Sequence, residues 1–332
     1  MERNPSFDDN GNFTSLPPLP PPRWETVRHK RPWLNALLFL VTILTTMMMG
    51  ASLLGYEIDA ILHDYSLLLK GWPYSFAVLL ILTCHEMGHY LAARWHKINV
   101  TLPFYIPLPI PYAFHFGTMG AFIRIKSPIP DRRALMDVAV GGPLAGFAVS
   151  LIFLAYGYLT LPDLNGIIAH VETIHPWDTP RGEDVATLTL GKSLLFYFFN
   201  DLAGGGRLPM SEVYHFPYIF AGWVGLLVTA INLLPIGQLD GGHVMYALLG
   251  GRASVMSWTV FAGLAGLTIF LYLQRGPAGT IWLPWMIILS LIGFRHPPTH
   301  NDGIELTPDR RSLGWLCLFI FVISFIPLPI YF

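Results

Sequence analysis

The chain reads as an all-α polytopic membrane protein of about six to seven transmembrane helices, interrupted by a re-entrant, Pro-rich membrane loop that can take β form. Three observations predict this class. Hydrophobic residues make up 53% of the 332 residues and charged residues 12%, with a mean hydropathy of +0.50, whereas a soluble domain carries about a quarter charged residues. Apolar runs recur at lengths that suit a hydrocarbon core about 30 Å thick. The basic residues are sorted by loop and form no single patch.

Residues 1–32 predict a disordered, cytoplasmic, Pro-rich tail. The tail is polar and then Pro-rich over 16–22, with no apolar stretch before a small-residue cleavage site, so it is not a signal peptide. Residues 33–332 then form the membrane domain. Its apolar runs fall at 33–54, 72–95, 134–159, 217–235, 255–273, 280–294 and 313–330, the sixth being the shortest. With the N-terminus cytoplasmic, the inner segments hold 15 of the 20 Lys and Arg residues, among them Arg94, Lys97, Arg132, Arg133, Arg252 and Arg310. The outer segments hold Lys70, Arg181, Lys192, Arg207 and Arg275. The positive-inside rule therefore predicts an N-in, C-out chain.

Two stretches do not read as simple spans. Residues 101–116 are apolar but carry Pro103, Pro107, Pro109 and Pro111, which remove backbone donors and forbid a continuous helix. Irregular backbone at membrane depth needs shielding by protein or a wet cavity, hence a re-entrant or interfacial loop. Residues 165–212 are more polar and predict an external loop with one short helix near 192–200.

Composition also excludes partners. A net charge of −1 with dispersed basic residues gives no attraction for nucleic acid. Cys84 and Cys317 both lie in apolar stretches and predict no disulfide framework.

The second run contains His85-Glu86-Met87-Gly88-His89. Residues four apart on a helix share a face, so both imidazoles can hold one Zn²⁺. Glu86 is placed beside such an ion as a general base. Three ionisable side chains within a spanning helix are costly unless they face the interior. Two histidines leave a catalytic zinc short of a third protein ligand. The fourth run ends in Asn232-Leu-Leu-Pro235-Ile-Gly237-Gln238-Leu239-Asp240-Gly241-Gly242-His243. Pro235 and Gly237 predict a break, with Asp240 opening a new half-helix through Leu249. Its carboxylate then has two readings, a plain helix cap or the missing ligand.

The His85-Glu86-x-x-His89 motif, with Asn232-x-x-Pro235 and Leu239-Asp240-Gly241 far downstream, resembles the site-2 protease family of intramembrane zinc metalloproteases. The segments at 117–128 and 141–146 resemble its bacterial and plastid branch, and no PDZ-like insertion or other regulatory domain is read between the motifs. The resemblance covers about 72–251, the expected catalytic core. It implies a three-helix core holding one Zn²⁺ through His85, His89 and Asp240, with Glu86 as catalytic residue. It also implies that Asn232 helps hold the substrate or its oxyanion. The implied partners are the lipid bilayer and single-span membrane proteins cut within their transmembrane segments. Oligomeric state stays open.

Rival readings are a metal-binding membrane transporter, a catalytically inactive protease-like protein, and another membrane zinc protease with a glutamate as third ligand. The intact Glu86 and the absence of paired broken helices speak against the first two, and the Asp240 segment against the last. Gly141, Gly142, Pro143 and Gly146 read as small-residue helix packing. His243 reads as an exposed or interhelical histidine, and His115 as a candidate for lining a water path. His29, His63, His96, His170, His175, His215, His296 and His300 read as solvated. The short tail bearing Asp8 and Asp9 makes a poor transit peptide, so a prokaryotic plasma membrane is expected, with the active site towards the cytoplasmic side.

Overall fold

A computed structural model describes residues 32–110, 115–175 and 188–331. The expected disordered tail at 1–32 therefore lies almost wholly outside the described residues.

Helix α1 (Pro32–Ser52) opens the bundle and is followed by the short α2 (Ile58–His63). Helix α3 (Trp72–Trp95) starts with a proline in its first turn, where the missing N–H costs nothing. A hairpin follows, β1 (Phe104–Pro107) antiparallel to β2 (Thr118–Phe122), with a bulge between Tyr105 and Pro107. The prolines of this segment allow paired strand where they forbid helix, and residues 111–114 of its connection lie outside the described residues. Helix α4 (Arg132–Leu159) is capped by Asp131, whose carboxylate accepts from the Arg133 and Ala134 amides at 2.9 Å each.

Beyond α4 come α5 (Leu164–Ile174), β3 (Thr189–Leu190), α6 (Leu194–Tyr197) and α7 (Pro217–Asn232). The short helix expected near 192–200 is α6 and the turn after it, whereas α5 was read as loop. It alternates Leu164, Ile167, Ile168 and Val171 with polar residues and buries only Ile167 and Val171, a stripe too narrow to stand out in a polar segment.

The chain then breaks where Pro235 and Gly237 predict it. Gly237 adopts a φ of 54°, and a side chain there would also meet the Gly293 carbonyl. The half-helix α8 (Asp240–Leu249) restarts the chain in a new direction. Helices α9 (Ala253–Arg275), α10 (Leu283–Ile292) and α11 (Pro308–Ser324) complete the bundle, and β4 (Ile330–Tyr331) returns to pair with β3.

Among the described residues, four helical stretches are long and apolar enough to cross a membrane: Pro32–Ser52, Tyr65–Trp95, Arg132–Leu159 and Asp240–Thr280. The chain is an all-α membrane protein with two small two-stranded sheets among the described residues. Its outer face is apolar, as lipid requires, with Leu37, Leu44, Ile152, Ile269, Leu273 and Phe319 all exposed. Three of the expected spans are short, α7 with 16 residues, α10 with 10 and α11 with 17. α7 ends at Asn232, before Pro235, and α10 supplies roughly 15 Å of helix against a core of about 30 Å.

Helices α3, α4 and α7 form the centre. α3 and α4 cross at Gly88 and Gly141, where no side chain separates the backbones. α7 is buried along most of its length, and its Phe220 stacks on Tyr74 with centroids 5.4 Å apart. Arg132 ties the start of α4 to the end of α8. Its guanidinium donates to the Ala247 carbonyl at 2.6 and 2.9 Å and to the Leu248 carbonyl at 3.1 Å. A cation at a helix C-terminus satisfies carbonyls that the helix itself leaves open. Arg132→Met is expected to cost roughly 1.5–3 kcal/mol, the worth of a charged hydrogen-bond set, read as a lower thermal midpoint in detergent. A midpoint unchanged from the parent chain would contradict this role for Arg132.

Candidate metal centre

The helical period brings His85 and His89 to one face of α3, with their Nε2 atoms 3.1 Å apart. Both are buried, as is Glu86 between them, at 3%, 7% and 5% exposure. The break after α7 delivers Asp240 to the same point. Its Oδ2 lies 3.4 Å from His85 Nε2 and 3.2 Å from His89 Nε2. The capping position of α8 belongs to Leu239, and the Asp240 carboxylate, one residue inside the helix, turns to the imidazoles.

These three atoms could hold a metal ion. Zinc bonds of about 2.0–2.1 Å in tetrahedral geometry set neighbouring ligand atoms about 3.3–3.4 Å apart, and the observed separations of 3.1, 3.2 and 3.4 Å fall at that span. Two imidazoles and a carboxylate are also the donor types zinc accepts. The outer contacts suit the same use. His89 donates from Nδ1 to the Val138 carbonyl at 2.7 Å, which leaves the Nε2 lone pair facing the centre.

Asn232, the last residue of α7, places its Nδ2 3.2 Å from His85 Nε2. All five residues singled out from the sequence, His85, Glu86, His89, Asn232 and Asp240, thus line one cavity of about 250 Å³. A second, more apolar space of about 370 Å³ adjoins it, sharing His85, Glu86, Ala121 and Asn232 and reaching Leu82, Val228 and Trp285.

Other neighbours were not foreseen. Strand β2 walls both cavities, and Ile123 continues that wall in the first. Of the described residues in 101–116, Leu108, His115 and Phe116 reach the second cavity, and the strand that lines both cavities is β2. His115 donates from Nε2 to the Ile110 carbonyl at 2.7 Å and accepts the Gly117 amide at Nδ1. His243 faces the first cavity and pairs with His296 at 2.5 Å. That contact spans 53 positions of sequence, and no local pattern announces it. His96 is also no solvated histidine, for it meets Asp137 at 2.8 Å, and Arg310 holds the same carboxylate.

The arrangement agrees with comparison against known proteins. A family model described as Peptidase family M50 matches residues 73–273. The chain belongs to peptidase family M50. Among relatives in this family, a protein of Oryza sativa subsp. japonica named probable zinc metalloprotease EGY1, chloroplastic, is 32% identical over 77% of this chain and 40% of its own length. The Arabidopsis thaliana protein of the same name is 32% identical over 77% of this chain and 42% of its own. The probable zinc metalloprotease EGY2, chloroplastic, of Arabidopsis thaliana is 28% identical over 87% and 48%. The chain thus spans less than half the length of these relatives. No solved structure matches it. The M50 match supports zinc as the ion and the site-2 protease resemblance, plastid branch included. The chloroplastic names run against the prokaryotic membrane expected from the short tail bearing Asp8 and Asp9, whose composition is a weak guide to compartment.

The glycines of α4 read as packing residues also make room for the centre. A Cβ on Gly142 would lie 2.1 Å from His89 Nε2, and one on Gly146 3.1 Å from His85 Nδ1. Gly142→Ala is therefore expected to displace the His89 ring and weaken zinc binding at this centre roughly tenfold or more, measured by zinc titration of the purified chain. Gly263→Ala, which meets nothing within 4 Å, is the control. Unweakened zinc binding in both would contradict the placement of His89 against α4.

Proposed function

We propose that this chain is an intramembrane zinc metalloprotease that hydrolyses peptide bonds within the transmembrane segments of single-span membrane proteins. The observation that carries the reading is the meeting of two α3 histidines and Asp240 of α8 beside Glu86, in a cavity walled by a strand edge. A metal-binding transporter or an inactive homologue accounts for the ligands and leaves the buried Glu86 without a task.

In this proposal His85, His89 and Asp240 hold one zinc. The ion, when bound, supplies Lewis acidity toward water and the scissile carbonyl. Glu86 accepts a proton from the attacking water and passes it to the departing amine, so that the C–N bond breaks with no net charge left on the enzyme. Asn232 donates its amide to the oxygen on which negative charge develops. A substrate helix has its carbonyls locked in its own hydrogen bonds and must unwind first. Strand β2 pairs only with β1 among the described residues, and adding the unwound segment to its edge would satisfy the freed backbone groups. The hairpin acts here as a re-entrant element, and the adjoining apolar cavity receives the substrate's side chains.

The depth of the cut follows from α3. We place the N-terminus inside, with α3 entering from outside, on the asymmetry of basic residues. His85 then lies 13 residues into a helix that enters from outside, roughly 20 Å along it and past the middle of a core about 30 Å thick. Asp240 follows the inner end of α7 and supports the same depth. Membrane proteins with cytoplasmic domains would be released inward with a short remnant of their span.

Co-expression with a panel of tagged single-span proteins tests the reading. The parent chain is expected to yield a fragment whose new terminus maps to the inner half of the span, and Glu86→Gln to lower the rate by about 10² to 10⁴ with zinc retained. Loss of zinc along with activity would make Glu86 a ligand or a structural residue, and a cut in the outer third would overturn the orientation or the site.

A further inference from the structure

His175, Glu212 and His215 lie at the opposite end of α7 from the metal centre. That helix has 16 residues, roughly 24 Å, with His215 just before its start and Asn232 at its end. His215 is not solvated as the sequence suggests, being 2% exposed, and His175 is half-buried. His175 follows α5, whereas Glu212 and His215 share the single turn that leads into α7.

Their donor atoms converge. His175 Nε2 and His215 Nε2 are 2.9 Å apart, and His215 Nε2 is 3.6 Å from Glu212 Oε2. One ligand atom of each of the three residues lies within 4.8 Å of the others, and the two measured separations bracket the spacing seen at the first centre. The surroundings prepare the same atoms. His215 donates from Nδ1 to the Leu53 carbonyl at 2.5 Å, which leaves a lone pair on Nε2. Ser211 Oγ donates to Glu212 Oε1 at 3.1 Å and so directs the other oxygen inward.

Glu212 Oε2 is the decisive atom, because it is buried and has no hydrogen-bond partner among the described residues. A direct hydrogen bond between the imidazoles would satisfy both Nε2 atoms and still leave this oxygen without one. A buried carboxylate oxygen in that condition is costly, and a cation shared by all three groups removes the cost. Two imidazoles and one carboxylate without thiolate favour an ion of the zinc class over calcium or magnesium, which prefer oxygen, and over cuprous copper, which prefers sulfur. Both histidines line a cavity of about 590 Å³ that also presents Glu57 and Asp59, a lining that attracts cations.

We infer that His175, Glu212 and His215 form a second site for a divalent transition-metal ion, which staples the end of α5 to the start of α7. The inference does not depend on proteolytic activity.

Equilibrium dialysis of the full-length, tag-free chain in detergent against Zn²⁺, followed by elemental analysis, tests it. The parent chain is expected to bind two equivalents. His175→Ala and Glu212→Gln are each expected to bind one, as is the His85→Ala/His89→Ala chain, and combining these with Glu212→Gln is expected to leave none. The visible absorption of Co²⁺ bound to the His85→Ala/His89→Ala chain reports the second site alone and is expected to vanish with Glu212→Gln. One equivalent in the parent chain, or a count unmoved by both His175→Ala and Glu212→Gln, would overturn the second site. A count unmoved by His85→Ala/His89→Ala would overturn the first centre instead. His175 and Glu212 sit on different segments, so misfolding of one variant, seen by gel filtration, leaves the other to decide.

Discussion

Placing a carboxylate and two imidazoles within touching distance inside an apolar bundle is the constraint on which the rest of this structure depends. Each such group is expensive in a medium without water unless its partners are at hand. The fold answers with three local devices. The α-helical period aligns His85 with His89, the break at Pro235 and Gly237 turns Asp240 towards them, and Gly142 and Gly146 on α4 leave room for the two rings. None of these works alone. A continuous helix through residue 240 would carry the carboxylate away, and bulkier residues on α4 would push the imidazoles out of reach.

The same constraint explains why α3, α4 and α7 are the buried helices while α1, α9 and α11 present apolar faces outward. A polar centre must be walled off from lipid, and these three helices with the β1–β2 hairpin supply the wall. In the proposed mechanism the wall does a second job. A helical substrate cannot be hydrolysed until its carbonyls are freed, and an open strand edge beside Glu86 is one of the few structures at membrane depth able to receive them.

Legibility in the sequence followed the range of the interaction. His85, Glu86 and His89 lie within one and a half turns, so a spacing of four sufficed to pair them. The break at Pro235 and the restart at Asp240 were readable because proline and glycine act on their own backbone. What Asp240 does there was not, since a cap and a ligand look alike until α3 is set against α8. Strand β2 leaves little trace in the sequence because its five residues include a glycine and alternate weakly. The partners of His96, His215 and His243 come from 41, 40 and 53 positions away, and such distant contacts leave no trace in local pattern. The run at 280–294 looked like a span because hydropathy registers composition, whereas Gly293 and the turns before Leu283 confine its helix to 10 residues.

X-ray absorption at the zinc edge tests most directly whether one zinc sits between α3 and α8. The chain carrying Glu212→Gln and loaded with one equivalent is predicted to show only nitrogen and oxygen neighbours at about 2.0–2.2 Å, with the outer scattering of two imidazole rings. Replacing His89 with alanine in that background should reduce the pattern to one ring. Sulfur at about 2.3 Å, which would implicate Cys84 or Cys317, or a two-ring pattern that survives the loss of His85 and His89, would contradict the account.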